Sequence, residues 1–228
     1  MLTRPEPGAS ETAARLSMEG FTPIIAPLLT IRPLAARFPP LSQVQGLLVT
    51  SSNALTGIPE QYRGLALFAV GDATAARAER LGFSRVMSAN GDARALAQLT
   101  AERCQRSGSA LLLASGSGQG GQLAQELRAL GFRVLRRVTY VARPATSLAR
   151  QARTALAAGA VQWALFFSAE TAATFVRLVR AASLDRSLGG IDAVAIGQAA
   201  AVALEALPWR SIRIALRPTM EEMMALLP

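Results

Sequence analysis

The 228 residues are 51% hydrophobic with a formal net charge of +9, enough apolar side chain for one large core or two lobes of about a hundred residues each, and too much for a disordered chain. All 24 basic residues are arginine, and there is no histidine and one cysteine, which removes Schiff-base and P-loop lysines and every Ser-His or Cys-His pair. A zinc site would be left with carboxylates alone, so a metal-free mechanism is the default.

No apolar stretch reaches the ~18 uninterrupted residues of a membrane span, and the first seven residues lack the apolar core of a secretory signal. The expected setting is cytoplasmic, without a membrane partner, and Cys104 is expected to be an inert thiol. The arginines are scattered, Arg136-Arg137 is their only adjacent pair, and aromatics make up only 5%. That is thin for a nucleic-acid stacking platform. A compositional bias toward Arg and Ala explains the charge equally well, leaving nucleic-acid binding as a lesser alternative.

In chain order, a short apolar strand at 1–3 leads into an amphipathic helix over 12–19. An extended run then goes from Gly20-Phe21 to Arg32-Pro33. A strand ending in Thr50-Ser51-Ser52-Asn53-Ala54 and turning into a helix comes next, then a strand, glycine turn and Ala-rich helix at Val70-Gly71-Asp72-Ala73-Thr74-Ala75, then strand, polar turn and helix from Val86 through Asp92. The strand at 110–114, a Gly/Ser turn and a helix over 122–130 then open a second copy: Gly131-Phe132 runs to Arg143-Pro144, offset by 111 residues from Gly20-Phe21 and Arg32-Pro33. The later segments Phe167-Ser168-Ala169, Ile196-Gly197-Gln198 and 212–219 repeat the earlier order.

Strands alternating with helices at this rhythm predict an α/β fold: two similar doubly wound parallel-sheet lobes joined by a pair of extended linker strands. The repeat order predicts interleaving. Lobe A would comprise 1–31 plus 145–228, lobe B 34–140, with linkers at about 30–34 and 140–145.

Ligands of doubly wound sheets bind beyond the carboxyl ends of the strands, where helix N-termini present free amides. Ser51, Ser52, Asn53 and Ser168 suit the N-cap position, each worth about 1 kcal/mol as a cap alone. Recurrence of such turns, with Gly71 and Gly197, predicts amides that hold an anion. Ser115-Gly116-Ser117 opens a Gly-x-Gly-x-x-Gly turn (116–121), but the acidic residue a dinucleotide fingerprint wants about 20 positions on is missing, since no Asp or Glu lies between Glu126 and Glu170. The turn therefore reads as an amide cradle or a plain flexible loop. Tyr140, on the return linker, is either a proton donor or a strand aromatic.

Taken in order, Thr3-Arg4-Pro5, Thr50-Ser51-Ser52-Asn53-Ala54, Val70-Gly71-Asp72-Ala73-Thr74-Ala75, Tyr140, Phe167-Ser168 and Ile196-Gly197 resemble the uroporphyrinogen-III synthase family over nearly the whole chain. The resemblance implies a cofactor-free, monomeric lyase of tetrapyrrole biosynthesis. It would cyclise hydroxymethylbilane with loss of water and inversion of ring D, and transient contact with the preceding pathway enzyme would deliver that unstable substrate. It also implies catalytic roles for Tyr140 and Thr74, and substrate contacts from Arg4, Pro5, Ser51, Ser52, Asn53, Gly71, Ser115, Gly116, Ser117, Ser168, Ala169 and Gly197.

Two departures stand out. Ala199 and Ala200 lie where the family often has a threonine beyond the second glycine turn, and Phe167 replaces a threonine before Ser168. They leave as the alternative a synthase-like anion-binding module that has lost catalysis; the glycine turn leaves, as a lesser one, a nucleotide-dependent oxidoreductase.

Overall fold

The structure, a computed structural model, describes residues 1–228. In chain order it forms α1 (Gly8–Met18), β1 (Leu29–Pro33), β2 (Val44–Val49), β3 (Ala66–Ala69), α2 (Asp72–Arg80), β4 (Arg85–Ser88), α3 (Ala93–Arg103), β5 (Ala110–Gly116) and α4 (Gly121–Ala129). Then come β6 (Val134–Pro144), α5 (Arg150–Ala157), β7 (Trp163–Phe166), α6 (Ala169–Ala181), β8 (Asp192–Ala195), α7 (Gln198–Leu204), β9 (Ser211–Ile214) and α8 (Met220–Met224). Contacts divide the chain into one unit of Met1–Thr30 with Arg143–Pro228 and another of Ile31–Ala142.

The continuous unit is built on a sheet ordered β1-β6-β5-β2-β3-β4, in which β6 through β4 run parallel. Alternate side chains of the central strands feed different cores. Leu47, Val49, Leu112 and Ala114 point to one; Leu48, Leu111 and Leu113 point to the other. Both faces are covered, which is why β2 and β5 are almost continuously apolar. Each buried leucine stabilises the fold by roughly 1.5–3 kcal/mol.

The discontinuous unit repeats the plan with β7-β8-β9 in parallel. Its first strand is shorter than expected. Only Leu2 forms bridges, to Leu165 on one side and Ile25 on the other, because Pro5 and the turn into α1 leave no residues for a longer ladder. Even so, Leu2 N–H donates to the Ile24 carbonyl and Ala26 N–H to the Leu2 carbonyl, both at 2.8 Å. Phe166 packs edge-on against Phe175 and Trp209, with centroids 5.2 and 5.7 Å away.

The 111-residue offset reappears as hydrogen bonds. Gly20 (φ +87°) and Gly131 (φ +91°) end α1 and α4 in left-handed conformation, and Phe21 N–H donates to the Leu16 carbonyl as Phe132 N–H does to Leu127, both at 3.0 Å. This is one helix-ending motif used twice. Gly82-Phe83 ends α2 with the same bond, to Ala78 at 3.1 Å.

β1 and β6 are neighbours in the sheet. Leu34 N–H donates to the Thr139 carbonyl and Ala145 N–H to the Leu28 carbonyl, both at 2.8 Å; as one residue number rises the other falls, so the pair is antiparallel.

Two local expectations change. The segment after Ser51 winds into a 3-10 helix, Ser52–Gly57, not an α-helix, because Pro59 holds Ile58 in extended conformation and cuts the segment short. In addition, α5 is a helix to which the sequence reading assigned nothing, although the spacing of Leu148, Ala152 and Leu156, all buried, is its signature.

Candidate functional site

β5, β2 and β3 are parallel neighbours, with Val49 level with both Ala69 and Ala114. The residues just beyond them therefore share one sheet edge: Ser115 to Ser117, Ser51 to Asn53, and Gly71 to Thr74. Ser51 Oγ accepts from Asn53 N–H at 3.3 Å as the cap of the 3-10 helix. Ser52 and Asn53 lie inside that helix and cap nothing through their side chains. Gly71 caps α2 with ordinary extended backbone (φ −156°, ψ 167°), and a Cβ built on it would meet nothing within 4 Å. Neither strain nor crowding requires glycine there. Thr74 is buried in the first turn of α2.

The Gly/Ser turn is more inward-looking than expected. Ser115 is fully buried and its hydroxyl donates to the Gln119 carbonyl at 3.1 Å, so that hydroxyl serves the turn rather than a ligand. Gly120 (φ +76°) must be glycine on two counts, since its backbone is left-handed and a Cβ would lie 3.0 Å from that of Ser115. At Gly116 a Cβ would approach Tyr140 Cζ to 2.7 Å and Gln119 Oε1 to 2.9 Å. The space beside this first glycine of the turn is filled by the protein's own side chains, whereas the second, Gly118, where a dinucleotide's pyrophosphate would approach, is open. Ser117 is exposed, and its N–H donates to the Tyr140 carbonyl at 2.9 Å.

Tyr140 owes its direction to a break in register. Ser115 is level with Val138, but the next residue, Gly116, is level with Tyr140, so Thr139 is an extra residue in β6. Such a bulge re-aims the side chains beyond it. Before it, even-numbered Val134 packs on the core with Leu111 and Leu113, while Leu135 packs on the core of Leu112 and Ala114. After it, even-numbered Tyr140 joins Leu135's side. Thr139 is itself anchored, its hydroxyl donating to the Ala54 carbonyl at 3.2 Å. Tyr140 is 3% exposed and its hydroxyl donates to Gln119 Oε1 at 2.9 Å. Instead of standing free at the edge, the phenol is held against it.

In the discontinuous unit the same edge carries Arg4-Pro5, Ser168-Ala169 and Gly197. Ser168 Oγ accepts from Thr171 N–H at 3.1 Å and caps α6, of which Ala169 is the first residue. Gly197 caps α7 and, like Gly71, a Cβ there would meet nothing. Of the two alanines where a threonine was expected, Ala199 is exposed and Ala200 buried. Ala200 is the counterpart of Thr74, since each donates its N–H to the carbonyl of the glycine three residues earlier, at 3.1 and 3.0 Å.

Arg4, expected among the substrate contacts, is held by neighbouring residues of its own unit. Its guanidinium lies 4.6 Å from the Phe167 ring centroid, donates to Thr12 Oγ1 at 3.1 Å, and occupies the space a Cβ on Gly8 would need. Burial pulls its pKa below the usual arginine value, with Glu11 opposing the shift. Phe167 thus has a job the usual threonine could not do. Pro5, next to it, is half-buried.

Sequence reading passed over Asp192, buried at the start of β8. It accepts from Arg210 and, at 2.8 Å, from Ser211 Oγ, and the Arg210 bond above all holds its carboxyl down at about 2. Its partners lie near in sequence, yet only β8-β9 pairing brings them together. No three His, Cys, Asp or Glu side chains converge as a metal-binding group, and no helix is long and apolar enough to cross a membrane.

Comparison with known proteins agrees with this architecture. The structure is similar to uroporphyrinogen-III synthetase from Helicobacter pylori (TM-score 0.62, 16% identity, covering 87% of this chain and 89% of that one). It is also similar to a mutant uroporphyrinogen III synthase from the extremely thermophilic bacterium Thermus thermophilus (TM-score 0.52, 17% identity, 99% and 96% covered). At these identities the likeness concerns the fold. No curated protein matches the sequence. The family model of uroporphyrinogen-III synthase HemD matches residues 10–225, and the chain therefore belongs to that family of tetrapyrrole-biosynthesis enzymes.

Proposed function

We propose that this chain is a uroporphyrinogen-III synthase that closes hydroxymethylbilane into the type III macrocycle as a cofactor-free lyase, working as a cytoplasmic monomer. The observation that carries the reading is the bulge at Thr139, which puts the Tyr140 ring, level with Gly116 near the strand end, on the face where the segments after the Ser51 and Gly71 turns pack.

The chemistry asks little of the protein beyond placement. The terminal hydroxyl leaves as water after taking a proton from the Tyr140 phenol, and the substrate becomes an azafulvene cation. The substituted carbon of ring D attacks it, the spiro intermediate fragments, and reclosure through the free carbon of ring D leaves that ring inverted. The proton shed when that pyrrole regains aromaticity restores the phenol, so the cycle balances with one water released. Substrate carboxylates would be received by bare amides, Gly71 with Ser51 to Asn53 in one unit and Gly197 with Ser168 and Ala169 in the other. Such charge-assisted bonds contribute about 1.5–3 kcal/mol each. Ser117, Pro5 and Arg4 complete the proposed contacts, with Arg4 contributing through its position on Phe167. Thr74, in the first turn of α2, supports the leaving hydroxyl.

The test is to supply freshly prepared hydroxymethylbilane and separate isomer III from the spontaneously formed isomer I. Isomer III should predominate, Tyr140→Phe should lower its rate by about 100-fold, and Thr74→Ala should have a smaller effect. Isomer I alone would leave the reading of an anion-binding module without catalysis.

A further inference from the structure

The Tyr140 hydroxyl is not left to find its own direction. A phenolic hydrogen can swing to either side of the ring, and a proton donor works only when it points the right way. In the resting state it points at Gln119, whose Oε1 accepts the hydroxyl over 2.9 Å. The turn that carries Gln119 is pinned independently of its side chain. Its main-chain carbonyl accepts from Ser115 Oγ at 3.1 Å and from Arg136 at 2.7 Å, and its N–H donates to the Gly116 carbonyl at 3.0 Å. Gly118 and Gly120 supply the left-handed backbone on either side of it. Gly116 contributes the vacant volume that the Tyr140 ring and Gln119 Oε1 both use.

These contacts form an interlock with a buried phenol below and an exposed amide above. From it we propose that Gln119 is the positioning residue of Tyr140, fixing the phenol as its acceptor in the resting state and then, with its amide turned to donate, freeing the proton for the leaving hydroxyl and steadying the phenolate. A carboxamide suits both duties. Its oxygen accepts from the phenol, and turned about its last bond it offers an N–H to the phenolate oxygen, which a carboxylate cannot do. Gln119 thus gives the Gly-x-Gly-x-x-Gly segment a purpose within the synthase reading, on which this inference rests, in place of nucleotide binding.

Two substitutions separate the possibilities, because residue 119 holds the turn through its backbone and side-chain changes leave that hold in place. Gln119→Ala should lower kcat for isomer III about 10- to 100-fold with KM changed less than about threefold. Gln119→Glu sets a negative charge beside the phenol and should move the Tyr140 titration upward, carrying the alkaline limb of the kcat profile with it. The titration is read by NMR on protein labelled at tyrosine Cζ; there are two tyrosines, and the signal lost in Tyr140→Phe is that of Tyr140.

If Gln119→Ala keeps wild-type kcat while Tyr140→Phe loses it, the positioning role is wrong and the synthase reading stands. A rise in KM at constant kcat would make Gln119 a substrate contact and overturn the proposal. An unmoved Tyr140 signal in Gln119→Glu would also overturn it. If Tyr140→Phe itself retains full turnover, the underlying reading fails first, and the NMR titration still reports whether Gln119 holds the phenol.

Discussion

Gly116 lies directly beneath the ring of Tyr140, so closely that a single added methyl would come within 2.7 Å of Cζ. The glycine of β5 and the tyrosine of β6 are level across the sheet only because Thr139 bulges out of register between them. The bulge aims the ring, and the glycine makes room for it.

Replacing Gly116 with alanine should therefore displace the Tyr140 ring rather than unfold the protein. Overpacking of this kind costs about 1–3 kcal/mol, enough to lower the melting temperature while leaving one cooperative transition. Turnover to isomer III should fall at least tenfold. Thermal melting and the isomer assay on the same sample check both halves.

Gly71→Ala and Gly197→Ala should behave in the opposite way. A Cβ at either position meets nothing, and neither backbone is left-handed, so stability should stay within about 0.5 kcal/mol of wild type. If these amides receive substrate carboxylates, the methyl should obstruct the approach and raise KM about tenfold or more. Unchanged KM in both variants would sink the amide assignment without touching the fold.

Phe167→Thr restores the residue the family usually has before Ser168 and removes the ring under Arg4. Loss of the cation–π contact should cost about 0.5–1 kcal/mol, with a further loss from the packing the ring provides. Freed from the ring, the Arg4 guanidinium should become more accessible to an arginine-selective dicarbonyl reagent. A modification rate equal to wild type would show that Arg4 is held without the ring.

Asp192 governs the acid limb of stability. Its carboxyl is held at about 2 in the folded protein against an ordinary 3.8, chiefly by the Arg210 bond. A depressed carboxyl contributes stability that is present above its unfolded value and is lost as pH falls through its folded value, here between about pH 4 and 2. Arg210 is 53% exposed, so solvent screening reduces that contribution. Urea melts of wild type at pH 5, 3 and 2 should show that loss, and Asp192→Asn should be less stable at pH 5 with a flatter acid limb.

Features carried by residues close together in the chain were open to direct reading. The alternation of strand and helix was legible because each apolar run and each turn is a local pattern, and the linker strands because Arg32-Pro33 and Arg143-Pro144 recur at one offset. The caps at Ser51 and Ser168 came from residue type. Where a local signal was overlooked, as in the 148-152-156 spacing of α5, it was still a local signal.

What the tertiary structure alone decided depends on register between distant strands. Nothing near Tyr140 announces that Thr139 is the extra residue; that depends on where β5 ends its pairing, and the pairing partner lies 24 residues away at Gly116. The same holds for Gln119, an unremarkable polar position inside a glycine turn until the phenol is brought against it, and for Arg4, whose place on Phe167 joins residues 163 apart. A sequence states which side chains are available and which backbone each prefers. Which of them end up within 3 Å of one another is set by packing and strand pairing summed over the whole unit.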